Sequence, residues 1–148
     1  MDSGIFINWG LDWAWGLPLI VVTVVIHAYG LRLINKEVVI TLSGAGRFRN
    51  LSTASIFAMG GTALSATVLH GLEGSIWAGA YRLLGALQDN KSAMLYSLSA
   101  MTSYGHANLY LEPRWQMMGA LEALNGWILF GLTTAFLFTV MQRAWPRT

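Results

Sequence analysis

The chain contains no cysteine, which excludes disulfides, thiolate metal sites and cysteine nucleophiles. Charge is nearly as scarce: 9 Lys and Arg and 7 Asp and Glu stand among 148 residues. That is 11% charged against 55% hydrophobic, with a mean hydropathy of +0.50, which does not fit a soluble globule. The net charge of +2 is too small to point to a nucleic-acid partner. The chain also lacks a legible metal-ligand cluster, a phosphate-binding glycine loop and a nucleophile elbow, so nothing in it marks an enzyme. No internal repeat or low-complexity segment occurs.

What is present is apolar length. A helix needs roughly 20 mostly apolar residues to cross the hydrocarbon core. Three stretches reach that: Trp13 to Leu31, Leu51 to Leu72 with apolar helical character persisting toward Leu87, and Met117 to Val140. They lack the alternation of a barrel strand, which leaves helices as the spanning structure. The fold class is therefore an all-α membrane protein with three transmembrane helices. Residues 1–12 read as a short outer arm, with Trp9, Trp13 and Trp15 suited to an interfacial aromatic belt. Pro18 is placed near the start of the first helix, where its missing N–H is tolerated. The first segment has no basic n-region and no small-residue cleavage site, so it is expected to be retained.

Basic residues fix the expected orientation. Arg32, Lys36, Arg47 and Arg49 fall between the first two spans, Arg143 and Arg147 follow the third, and the N-terminal arm offers only Asp2 and Asp12. The positive-inside rule puts the first loop and the C-terminus in the cytoplasm and the N-terminus outside. The first 50 residues then comprise arm, first span and basic loop; residues 51–148 form a second unit.

That second unit holds the unusual segment. Asp89-Asn90-Lys91 reads as an exposed turn, and Ser92 to Met101 looks helical but is too short to span. Thr102 to Asn108 shows no periodicity before the chain leads through Trp115 into the third span. A half-length helix plus polar backbone between two spans reads as a re-entrant segment. Irregular backbone at membrane depth is tolerated only when buried in protein or lining water, which points to a cavity or pore.

The order outer helix, short helix, irregular loop, inner helix resembles the pore unit of potassium-channel-like proteins. It is most similar to small bacterial two-helix-pore channels with one additional N-terminal span. The residues that carry the resemblance are His70-Gly71-Leu72-Glu73, Trp77-Ala78-Gly79-Ala80-Tyr81, Tyr96-Ser97-Leu98, Pro113-Arg114-Trp115, Gly119-Ala120-Leu121-Glu122-Ala123-Leu124-Asn125-Gly126 and Phe130-Gly131, about half the chain. It implies a bacterial inner (plasma) membrane location and a homotetramer with the third helix lining a central pore. It also implies passive conduction of a monovalent cation such as potassium, with no other cofactor. Beyond lipid and self-association, a further membrane partner stays open.

The filter departs from the family. Where members read Thr-Thr-Val-Gly-Tyr-Gly-Asp, this chain has Thr102-Ser103-Tyr104-Gly105-His106-Ala107-Asn108. In such channels carbonyls and a hydroxyl replace the hydration shell of the ion, roles that would fall to Ser103 and the carbonyls from Ser103 to His106. Ala107 replaces a glycine, and its Cβ disfavours a left-handed backbone by roughly 1–2 kcal/mol. A wide, weakly selective cation path and a non-conducting accessory subunit are both compatible with this loop. His106 is either a titrating group at the outer mouth or a structural substitute for the family's tyrosine.

Glu73 and Glu122, ionisable groups inside apolar helices, are expected either to support the filter or to be structural, Glu122 as a carboxyl neutralised or paired with Arg114 or His70. Gly126 and Gly131 are candidates for a gating hinge or for close helix packing. Thr133 and Thr134 either line an inner cavity or bond back to their own helix. His27 and His70 leave a third reading open, a haem-binding subunit with two axial imidazoles.

Overall fold

The computed structural model of the protein describes residues 3–45, 51–105 and 108–144. His106 and Ala107 of the filter-like loop lie outside the described residues, as do Asp2, Gly46, Arg47, Arg49, Arg147 and the side chain of Trp9. Helix α1 spans Ser3–Ala45, α2 Leu51–Leu83, α3 Asn90–Met101 and α4 Gln116–Ala144, with a single 3-10 turn at Pro113–Trp115 leading into α4. No strand occurs among the described residues. Helices α1, α2 and α4 are each long and apolar enough to cross a membrane. Helix α3 has 12 residues, about 18 Å, and is not.

Polar residues stand inside and large apolar ones outside to a degree foreign to a soluble protein. Asp12, Thr23, His27, Glu73, Glu122 and Asn125 are buried, while Val21, Val25, Phe57, Leu64, Val68 and Phe130 are more than half exposed. In water that exterior would be one large apolar patch; against lipid it has no such penalty. A cluster of buried apolar residues, three of them aromatic, lies at the α3 end of the bundle. There Trp77 and Tyr81 of α2 pack with Leu111, Trp115, Met118 and Leu121.

Helix α1 differs from expectation at both ends. It runs 43 residues, from within the expected arm to beyond the expected start of the cytoplasmic loop. Pro18 therefore lies well inside it. Tertiary contact explains both extensions. Asp12 is buried facing the backbone N–H of Met118, near the start of α4, and Val38 is buried on the far side of the span. Asn35 Oδ1 accepts a hydrogen bond of 2.6 Å from Arg143, so the distal part of α1 is tied to the last turn of α4. Trp13 and Trp15 are exposed, as an interfacial belt requires.

Helix α2 is one helix past Glu73, and it stops because Gly85 takes a φ of +67°. The N–H groups of Gly85 and Ala86 return to the carbonyls of Arg82 and Tyr81, which satisfies the last turn by a Schellman closure. Arg82 then spans the connection, donating to Leu87 O and Asn90 Oδ1 at 2.8 Å each. Asp89 is no mere turn residue: its carboxylate accepts from the Ser92 N–H at 2.9 Å and caps α3.

The Ser92 hydroxyl first, and then the Ser92 N–H, hold the exposed Asp89 carboxyl below its usual range. A carboxyl depressed in the folded state contributes stability above its unfolded pKa and loses it as pH falls through the folded value. Amide exchange at Ser92 is therefore expected to speed up, relative to the mid-helix amides of α3, on going from neutral to strongly acid pH. In Asp89→Ala the fast exchange should be present at every pH; an unchanged Ser92 amide in that variant would refute the cap.

Helix α3 starts beside the C-terminal end of α2 and ends against the middle of α4. Met101 O lies where a side chain on Gly126 would begin, and Gly126 is about 20 Å along the axis from Pro113. The chain then returns to Pro113 without forming a helix in its described residues.

Candidate functional site

The segment after α3 is wound back on the helix rather than extended. Ser103 has φ +55°, its N–H donates to Ala100 O at 3.0 Å, and the Tyr104 N–H donates to Ser99 O at 2.9 Å. This is again a Schellman closure, with Ser103 in the left-handed position that glycine usually fills. The physical cause is the orphaned carbonyls of the last helical turn, which the returning N–H groups satisfy. The Ser103 hydroxyl also accepts a 3.1 Å hydrogen bond from the Trp127 indole. Thr102 bonds back to Leu98 O at 2.7 Å. Tyr104 is 82% exposed, not packed behind the loop, and Gly105 has φ +73°. Thr102 to Gly105 and Asn108 are all exposed.

Behind α3 stands Glu122 of α4, fully buried. Its carboxyl receives the Tyr81 hydroxyl of α2 at 2.6 Å and is hydrogen-bonded to the Ser97 hydroxyl of α3. Ser97 also contacts Gly74 O at 2.8 Å. One hydroxyl hydrogen cannot serve two acceptors. The count closes when Glu122 carries its proton: Tyr81 donates to Glu122, Glu122 to Ser97, and Ser97 to Gly74 O. Tyr96 stacks edge-on to Tyr81 with ring centroids 5.4 Å apart. The expected pairing with Arg114 is not formed; Arg114 lies 3.3 Å from Glu112 and over the Trp115 ring.

Glu73 is not behind the loop. It sits in a second cluster that ties α1, α2 and α4 together. His27 Nδ1 is 2.9 Å from Glu73 Oε1, and His70 Nδ1 is 3.3 Å from Oε2. On the opposite edges of the rings, both Nε2 atoms meet the Thr133 hydroxyl, at 3.0 Å from His27 and 3.1 Å from His70. Two axial imidazoles grip a haem iron from opposite faces. Here the ring centroids are only 5.1 Å apart and every ring nitrogen is turned to a shared protein group, so the pair does not match that geometry. A neighbouring bond from Asn125 to the Thr23 hydroxyl, 2.8 Å, adds a further polar link between α4 and α1.

The two hinge candidates of α4 separate. A Cβ on Gly126 would overlap the Met101 carbonyl, whereas Gly131 faces open space, and α4 is unbroken at both. Thr134 bonds back to Phe130 O at 2.8 Å. A cavity of about 560 Å³ opens between α2, α3 and α4, bordered by His70, Gly71, Met101, Ser103, Gly126 and Trp127. The sequence pairs His27 with His70 as candidate haem ligands but does not join Glu73 and Thr133 to them. The only local signal was His70 and Glu73 at i,i+3, on one helix face. No protein family, curated protein or solved structure was found to match this chain.

Proposed function

We propose that the protein conducts monovalent cations passively through a pore made by four copies, with the 102–108 loop at its constriction and α4 lining its inner half. The observation that carries this is the position of α3 and its exposed polar loop. A short helix reaches about 20 Å down α4 and delivers irregular backbone there. Lipid does not tolerate such backbone unpaired, so the loop must face protein or water, as a re-entrant segment does. One chain supplies one loop, and rotational symmetry brings several around a shared axis. The negative end of the α3 dipole points toward the loop, which favours a cation there. Basic residues put the N-terminus outside and the first loop in the cytoplasm.

A second reading is a non-conducting accessory subunit of the same fold. It is favoured by the closed turn at Ser103 and by the Trp127 indole already on its hydroxyl. Both readings are tested by reconstituting tag-free protein into potassium-loaded liposomes. Efflux above that of empty vesicles, with a tetramer in native mass spectrometry, is the expected result. Absence of flux from a tetramer would favour the accessory subunit, and a monomer or dimer would remove the central pore.

A further inference from the structure

We propose that His27, His70 and Glu73 form an intramembrane site for a first-row divalent cation of the zinc type, with Thr133 fixing the two imidazoles from behind. One ligand atom from each of the three lies within 4.8 Å of the other two. Two imidazole nitrogens and a carboxylate are the donor set such ions take, at about 2.0–2.2 Å from the metal. His27 and Glu73 are fully buried, and the cluster draws on α1 and α2 with its support on α4.

Hydrogen counting supports a cation. With both imidazoles neutral and both Nδ1 protonated toward Glu73, both Nε2 atoms need a donor, and Thr133 has one hydroxyl hydrogen. One contact of the four is then left without a proton. Glu73 Oε2 shows a further shortfall: it is buried and makes no hydrogen bond of proper geometry, although His70 Nδ1 stands 3.3 Å away. A metal on the Nδ1 side resolves both. The Nδ1 lone pairs and the carboxylate become ligands, each Nε2 carries its hydrogen, and the Thr133 oxygen accepts both through its two lone pairs. Ligating histidines commonly have the other ring nitrogen held in this way. Access is also built in, because His70 is 27% exposed and borders the cavity beside the loop. Three protein ligands leave a fourth position for water.

The site does not depend on conduction and is tested separately. Tag-free protein in detergent is stripped with chelator, incubated with zinc, desalted and analysed by mass spectrometry of the elements. One zinc per chain is expected, falling to background in His27→Ala and in His70→Ala and unchanged in Glu112→Gln, which alters an exposed carboxylate. Thr133→Val should keep the ligands but weaken affinity about 10–100-fold, since only the supporting group is lost. Zinc absent from the wild-type protein, or retained equally by His70→Ala, overturns the proposal and leaves a hydrogen-bonded clamp closed by a proton. Should the variants fail to insert, cobalt added to the wild-type protein decides: visible ligand-field bands at one equivalent support the site, and their absence overturns it.

Discussion

Gly126→Ala is expected to lower the thermal midpoint markedly and to reduce liposome flux to the level of empty vesicles. The added Cβ would occupy the space of the Met101 carbonyl. Backbone cannot yield as the tip of a flexible side chain does, so α3 must move off α4 or α4 must bend. Overpacking of this kind costs about 1–3 kcal/mol, and a rigid backbone neighbour puts the site at the upper end. Moving α3 also moves Thr102 and Ser103, which is why the loss of flux should exceed what stability alone would cause. Gly131→Ala is the internal control. Nothing lies within 4 Å of the point where its Cβ would stand, and replacing a helical glycine there should change stability by no more than about 1 kcal/mol, on the favourable side. If Gly131→Ala proves the more damaging of the two, the bend belongs to α4 at 131 and the contact at 126 is secondary.

Glu122→Ala should be as severe, while Glu122→Gln should be nearly silent. Alanine leaves the Tyr81 hydroxyl without its acceptor in a fully buried site, at about 1–3 kcal/mol for an orphaned group, and takes one of two partners from Ser97, which keeps Gly74 O. Glutamine reproduces the hydrogen pattern of a protonated carboxyl: its amide donates to Ser97 and its carbonyl accepts from Tyr81. The change should therefore stay within about 1 kcal/mol in a detergent melt. Equal damage from both substitutions would mean that the negative charge is required and that Glu122 carries no proton. Tyr81→Phe gives an intermediate case, because it removes one donor and leaves the link from Glu122 to Ser97.

The three spans and the short helix were legible because each is a local property. Apolar length reveals a span, and Ser92 to Met101 reveals a helix too short to be one, whereas Asp89, which caps it, reads in the sequence only as part of an exposed turn. The ends of α1 were not legible. Asp12 and Val38 are held by residues of α4 and by packing that no local pattern encodes. The candidate site divides in the same way. His70 and Glu73 share a helix face, but His27 lies 46 residues from Glu73, and Thr133 lies 63 from His70. Glu122 reads in the sequence as an acid either neutralised or paired with Arg114 or His70, and neither pairing is formed. A buried carboxyl can be satisfied by neutral hydroxyls such as Tyr81 and Ser97, which carry no charge signal in the sequence. The turn at Ser103 was missed because serine replaces the glycine that normally announces it.

The candidate spans of α1, α2 and α4 contain 33, 31 and 32 residues. At 1.5 Å per residue they are each close to 50 Å long, whereas the hydrocarbon layer is about 30 Å thick. Their uninterrupted apolar runs are shorter, Trp13 to Leu31 in α1 being about 28 Å, so the charged ends protrude. Any misfit with the bilayer is relieved by tilting or by local thickening at a fraction of a kcal/mol per Å. Because Arg143 and Asn35 join α4 to α1 near one end, and Asp12 faces Met118 near the other, these two helices must tilt together. Acyl-chain length thus becomes a mechanical variable for this protein, acting on α1 and α4 as a pair.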